Sequence, residues 1–309
     1  MSMWEQRTRR GFLGLLGGGT IAGAAGCLGG GESVSVLSAG SLVTTFEFHV
    51  GPVFEAETDV SVQGEYHGSN AVMRMVEDGT KHPDVVVSAD ATLLRDRLVG
   101  AYTDWDVAFA TNVLGIAYDP ETRFGAGLDA DQPWYDLLLA SDEGDVAVGD
   151  PDLDPLGYRA WQAFALAERE HDVDGFRAAA WDLVTREPAE PQLLAAVESG
   201  ARAGAVVYGN MAADHGLPFR AFPPAYNFAD PGRADHYATA AYTTDEDYTV
   251  EGRPILYNAT VLDRADAPGA GERLVEFLTA TPGVLREAGL AVPDTLPRAT
   301  GALPEGVAG

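Results

Sequence analysis

Apolar positions along this chain alternate between two rhythms. Val34-Ser35-Val36-Leu37 alternates in the manner of a strand and breaks at Ser38-Ala39-Gly40-Ser41-Leu42. Phe46, Val50, Val53 and Phe54 follow at helical spacing, although Gly51-Pro52 weakens the middle of that helix. The order then repeats. Val60 to Gly64 reads as a strand, His67-Gly68-Ser69-Asn70 as a loop, and Ala71 to Val76 as a helix closing at Gly79. Asp84-Val85-Val86-Val87-Ser88 is a continuous apolar run, suited to a parallel strand covered on both faces.

Further strands are expected at Thr111 to Tyr118, Asp145 to Gly149, Ala205 to Tyr208 and Ile255 to Val261, with helices over Pro155 to Glu168, Gln192 to Val197 and Glu272 to Thr279. Strands alternating with helices predict an α/β fold. We read two lobes, each an open, mostly parallel sheet flanked by helices, the second inserted in the first. Residues 34–115 and 258–309 make lobe 1 and residues 116–257 make lobe 2, with crossings near Asn112 to Tyr118 and Ile255 to Val261.

The N-terminus alters which residues count towards the fold. Arg9-Arg10 precedes an apolar, Gly-rich run too short for a comfortable membrane span, in the pattern of a twin-arginine export signal. The run stops at Ala24-Ala25-Gly26-Cys27, small residues before a cysteine, as in a lipobox. Residues 1–27 are therefore set aside as a signal, with Cys27 the expected lipidation site, and residues 28–33 as a flexible tether. Cys27 is the single cysteine, which excludes an intrachain disulfide.

Charge narrows the partners. The formal net charge is -27, from 47 acidic against 20 basic residues, and Lys81 is the sole lysine. No basic stripe exists to release phosphate counterions, so nucleic acid is excluded. The balance resembles a halophilic surface, which repels itself little where salt shortens the Debye length to about 3 Å. Composition alone would favour a cationic ligand. An anion site here must work through short-range, directed donors in a cleft.

Two Gly/Ser loops, at Ser41 and Ser69, each lead from a strand into a helix. A helix start offers unpaired N–H groups and a positive dipole end, although a plain N-cap explains either serine as well. Asp154-Pro155-Leu156-Gly157-Tyr158-Arg159 begins another helix, with Asp154 fit for the N-cap and Pro155 for the first turn. Glu190, between Pro188 and Pro191, suits the first turn of the next helix, where the dipole favours an acid. The six histidines show no paired metal spacing, and only His67, beside the Ser69 loop, draws notice. Tyr226, Tyr237, Tyr242 and Tyr248 read as packing residues. A secreted hydrolase is disfavoured, because no G-x-S-x-G elbow is present and no histidine is paired with a serine.

The order of Ala39-Gly40-Ser41-Leu42, Gly68-Ser69, Asp84 to Asp90, Asp154 to Arg159, Val197-Glu198-Ser199-Gly200, Val206-Val207-Tyr208 and Gly252 to Tyr257 resembles the periplasmic molybdate/tungstate-binding proteins, in particular their archaeal branch. The resemblance covers nearly all of the chain after the signal. It implies a two-lobed periplasmic-binding-protein-like fold of class II and a monomeric, lipid-anchored, extracytoplasmic solute-binding subunit of an ABC importer, with a membrane permease as partner. It implies no catalytic residue and no cofactor. The oxyanion would be held by Ser41, Ser69, the amide near Leu156 and Tyr208, while Asp154 and Glu190 would reach the molybdenum or tungsten centre itself. Sulfate, phosphate or another small solute is the alternative ligand. The chain departs from the archaeal pattern in a shorter stretch before Glu190 and in Gly209-Asn210-Met211 after Tyr208.

Overall fold

A computed structural model of the chain describes residues 31–307. Within them, thirteen strands form two large sheets and one hairpin. The first sheet holds β1 (Ser33–Ala39), β2 (Ser61–His67), β3 (Val85–Ser88) and β4 (Trp105–Ala110). The chain crosses into a second sheet with β5 (Leu114–Tyr118), β6 (Val146–Gly149), β7 (Thr185–Glu187), β8 (Gly204–Tyr208) and β9 (Phe219–Ala221). The hairpin β10 (Ala241–Thr243) and β11 (Thr249–Glu251) precedes the return through β12 (Tyr257–Val261), and β13 (Arg298–Gly301) completes the first sheet.

The first sheet runs β13-β4-β12-β3-β1-β2 and the second β7-β6-β8-β5-β9, with helices against both. The α/β, two-lobed architecture is as expected: most strands of each sheet run one way, and the exceptions are β12 and β13 in the first and β5 in the second. β1 pairs in parallel with β2 and β3, while β12 and β13 run antiparallel to their neighbours. In the second sheet β6 is parallel to β7 and β8, and β5 is antiparallel to β8 and β9. The cause is the crossings. Parallel neighbours need a crossover helix to bring the chain back; β5 and β12, arriving from the other lobe, have none, and β13 follows β12 through two helices and keeps its direction. Leu114 and Gly115, read as lobe 1, belong to the second sheet, and Tyr257, read as lobe 2, to the first.

Burial follows the sequence pattern. All four β3 residues and all five of β8 are buried, as their unbroken apolar runs require. The expected helix through Phe46 and Val50 is interrupted: a 3-10 turn (Gly40–Leu42), a π turn (Thr45–Val50) and an α-helix (Gly51–Thr58) succeed one another. Pro52 explains the break, since it has no N–H for the preceding turn and instead opens the α-helix that follows.

Candidate functional site

Asp154 caps the helix Pro155–Glu170, with extended backbone and its Oδ1 accepting from the Leu156 N–H at 2.8 Å. Its side chain nonetheless lies in the interior, 3 % exposed, at the face where the lobes meet. Gly68 of the first lobe approaches so closely that a Cβ there would collide with the Leu153 carbonyl and with Asp154 Cβ. Burial pushes the Asp154 carboxyl up to about 6, against the pull of the Leu156 N–H and of Arg159.

Beside it sits Glu190, in the first turn of the helix Glu190–Glu198 and 2 % exposed. Neither of its carboxylate oxygens has a hydrogen-bond partner among the described residues. Burial holds this carboxyl well above the ordinary range, and the charge of Asp154 raises it further. The Ser41 amide and hydroxyl lie near enough to oppose that shift without reaching hydrogen-bond geometry. Gly40 leaves the room for this approach, because a Cβ there would overlap the Glu190 carboxylate. Two carboxyls from one lobe thus face a Gly-Ser turn of the other.

The hydroxyls around this pair are set to donate. Ser69 Oγ accepts from the Ala89 N–H at 3.0 Å. Tyr208 Oη accepts from Arg159 Nη1 at 2.7 Å. Ser41 Oγ accepts from Tyr257 Oη at 3.3 Å, and Tyr257 Oη in turn accepts from Asn112 Nδ2 at 3.2 Å. A hydroxyl has one proton to give. In each of the three the acceptor side is engaged, and no described residue accepts its proton in hydrogen-bond geometry. Ser41, Ser69 and Tyr208 are all buried. Fixed O–H donors with no bulk water nearby match an acceptor-only guest.

Arg159 organises the floor. Fully buried, it donates to the Ala89 carbonyl at 3.0 Å and to Asp90 Oδ2 at 3.1 Å as well as to Tyr208. Tyr158 Oη also donates to Asp90 Oδ2, at 2.7 Å. Asn210 bridges the lobes too, giving Nδ2 to the Ser41 carbonyl at 2.8 Å and accepting from Asn112 at 2.7 Å.

A family model described as bacterial extracellular solute-binding protein matches residues 34–290. The chain belongs to that family. An uncharacterized solute-binding protein of Halobacterium salinarum is 52 % identical over 299 residues, 96 % of each chain. The molybdate/tungstate-binding protein WtpA of Pyrococcus abyssi is 31 % identical over 290 residues, 82 % of this chain and 83 % of its own. Among solved structures, the periplasmic molybdate-binding protein of Azotobacter vinelandii superposes with a TM-score of 0.61 at 17 % identity, covering 84 % of this chain and all of that one.

As a solute-binding protein, the chain gathers five of the residues singled out from sequence: Ser41, Ser69, Asp154, Glu190 and Tyr208. The sixth differs. The Leu156 amide, expected as a free donor, is taken by Asp154 Oδ1, because the residue that caps a helix uses that helix's first N–H groups. His67 pairs with Glu65 at 2.9 Å on β2, partly exposed, with no side-chain hydrogen bond to the cluster among the described residues. Cys27 and the twin-arginine run lie outside the described residues. Among those described, no helix is long and apolar enough to cross a membrane.

The roles of Arg159, Asp90, Tyr257 and Asn210 were not read from sequence. For Arg159 a signal existed: it stands three residues after Leu156 and four before Ala163, on the helix's buried stripe, where an apolar side chain is expected. Asp90 and Tyr257 act through contacts 68 and 216 positions away, for which one sequence carries no mark.

Proposed function

We propose that this solute-binding protein captures molybdate or tungstate between its lobes and passes it to the membrane permease of an ABC importer. The observation that carries the reading is the buried pair Asp154 and Glu190, set against hydroxyls whose protons have no acceptor. Burial raises both carboxyls, so ionising them needs a cationic partner; beside sulfate or phosphate an ionised carboxylate, with no proton to give, would only repel. Molybdenum(VI) and tungsten(VI) can widen their coordination shells, so beside them a carboxylate becomes a ligand. The name of the Pyrococcus abyssi relative agrees with that choice. Ser41, Ser69 and Tyr208 would donate to the oxo groups while Asp154 and Glu190 reach the metal. Capture and release need only hinge motion at the two crossings. The lipid anchor at Cys27, reached through twin-arginine export, would keep the protein at the outer face of the membrane.

Calorimetric titration of the delipidated protein in high salt with molybdate, tungstate, sulfate and phosphate tests this. Molybdate and tungstate should give saturable binding that Asp154→Ala and Glu190→Ala each weaken. Equal affinity for sulfate and molybdate, before and after those substitutions, would remove the direct-ligand role.

A further inference from the structure

A cavity of about 420 Å³ lies where the two crossing segments run together, with Asp90 in its wall but none of Ser41, Ser69, Asp154, Glu190 and Tyr208. Its wall includes Thr111 from the first crossing and Arg253 to Leu256 from the second, and Thr111 Oγ1 donates to the Ile255 carbonyl at 2.6 Å. The lining is largely apolar, with Ile255, Leu256, Pro293 and Leu296 prominent, yet three arginines also reach it: Arg95, Arg253 and Arg298. In a chain with 20 basic residues against 47 acidic ones, three cations at one cavity run against the composition.

Their commitments differ. Arg95 is spent on Asp106, with Nε and Nη2 each 2.8 Å from a carboxylate oxygen. Arg253 meets only Glu251, at 3.9 Å and with both side chains exposed, a pairing worth little. Arg298 makes no ion pair and no side-chain hydrogen bond among the described residues. The one acid in the wall, Asp90, is fully occupied: Oδ1 accepts from the N–H groups of Thr92 and Leu93, and Oδ2 from Tyr158 and Arg159. Because Asp90 and the Leu256 carbonyl use the amides that begin the helix Ala91–Leu98, that helix start offers nothing to an anion. Attraction for negative charge here comes from Arg253 and Arg298.

We infer that this cavity is a second ligand site, for a small organic carboxylate with an apolar body. The volume falls within the usual range of small-molecule sites, roughly 300–1,000 Å³, and an apolar wall with a few charged groups is their usual make-up. A bare inorganic oxyanion would leave the prolyl and leucyl wall wet, and a neutral apolar molecule would leave the arginines unused. The inference is independent of what the interlobe site holds.

The test uses octanoate as probe, with 1-octanol and octylammonium for comparison, titrated into the delipidated protein in high salt and followed by calorimetry. Octanoate should bind saturably and at least about ten-fold more tightly than octanol, the scale of a charge-assisted contact. Arg253→Ala/Arg298→Ala should abolish that preference while thermal midpoint and tungstate binding stay unchanged, as expected for two surface side chains. Octanol or octylammonium binding as well as octanoate, or octanoate binding the double variant undiminished, overturns the proposal. So does displacement of octanoate by tungstate, which would put the probe in the interlobe cleft.

Discussion

Each hydroxyl at the interlobe site is held by a donor behind it, and that arrangement gives Tyr208 a role separable from packing. Tyr208→Phe keeps the buried ring and deletes one donor, while Arg159 retains the Ala89 carbonyl and Asp90. A hydrogen bond to a charged partner contributes about 1.5–3 kcal/mol, so tungstate affinity should drop roughly ten- to a hundred-fold with little change in the fold. Unchanged affinity by calorimetry would show that the phenol does not face the guest. The carboxyl pair makes a prediction in pH. Asp154 stands near 6, above its ordinary value of about 3.9. Between those values the folded, ligand-free protein binds more protons than the unfolded chain, so stability present at low pH is lost as pH rises through the window. Relative to Asp154→Asn/Glu190→Gln, which cannot titrate there, the wild type should lose at least about 2 kcal/mol between pH 4 and 7, the Asp154 share, to which the raised Glu190 adds in the same direction. Parallel thermal midpoints for the two proteins across that range would contradict it. The serines, acids and tyrosine of this site were legible because each follows a strand or opens a helix in a set order. Arg159 and Tyr257 were not, because what they do depends on partners the chain brings in from the far lobe.

Individual elements are tied together by buried polar groups as much as by apolar faces. Asp106 on β4 is wholly buried and accepts from Arg95 Nε and Nη2, each at 2.8 Å, and from Asn258 Nδ2 at 2.9 Å. One carboxylate thereby joins β4, β12 and the helix Ala91–Leu98. Asp106→Ala leaves a cation and a buried amide unmatched, and breaking such a pair costs about 3–5 kcal/mol. The urea midpoint at fixed salt should fall accordingly, with Asp106→Asn losing less; a midpoint within error of wild type for the alanine variant would refute this linkage. Sequence pattern located β1, β2, β3, β5, β6, β8 and β12 and the helices after Ser69, Asp154, Glu190 and Ala270, since each has an apolar run of the right period, but not the helices Ala91–Leu98, Arg123–Asp129, Trp134–Leu139 or Phe176–Leu183. It missed β4, although Trp105-Asp-Val-Ala-Phe-Ala alternates in part, because Asp106 placed an acid in a strand buried on both sides. The short strands β7, β9, β10 and β11 carry too few residues for any period to register. Strand direction was beyond periodicity altogether; β5 and β12 run against their neighbours because the chain reaches them from the other lobe.

On the scale of the molecule, the formal charge of -27 opposes the dianionic guest proposed for the site. Arg159 does not offset this at long range, because Asp90 balances it in the interior and neither charge is exposed. On the proposed reading, an approaching oxyanion would meet a repulsive field until it reaches the directed donors around Asp154 and Glu190. Raising salt from 0.1 to 1 M shortens the Debye length from about 10 to about 3 Å. For like-charged partners this screening speeds encounter, the reverse of electrostatic steering. The association rate of tungstate, followed by stopped-flow fluorescence of the tryptophans, should therefore rise with KCl over that range, and an equal ionic strength of NaCl should give the same curve. Dissociation, governed by short contacts in a buried site, should change far less. A rate that falls with salt would instead require a positive potential at the cleft mouth, against the acidic surface described above.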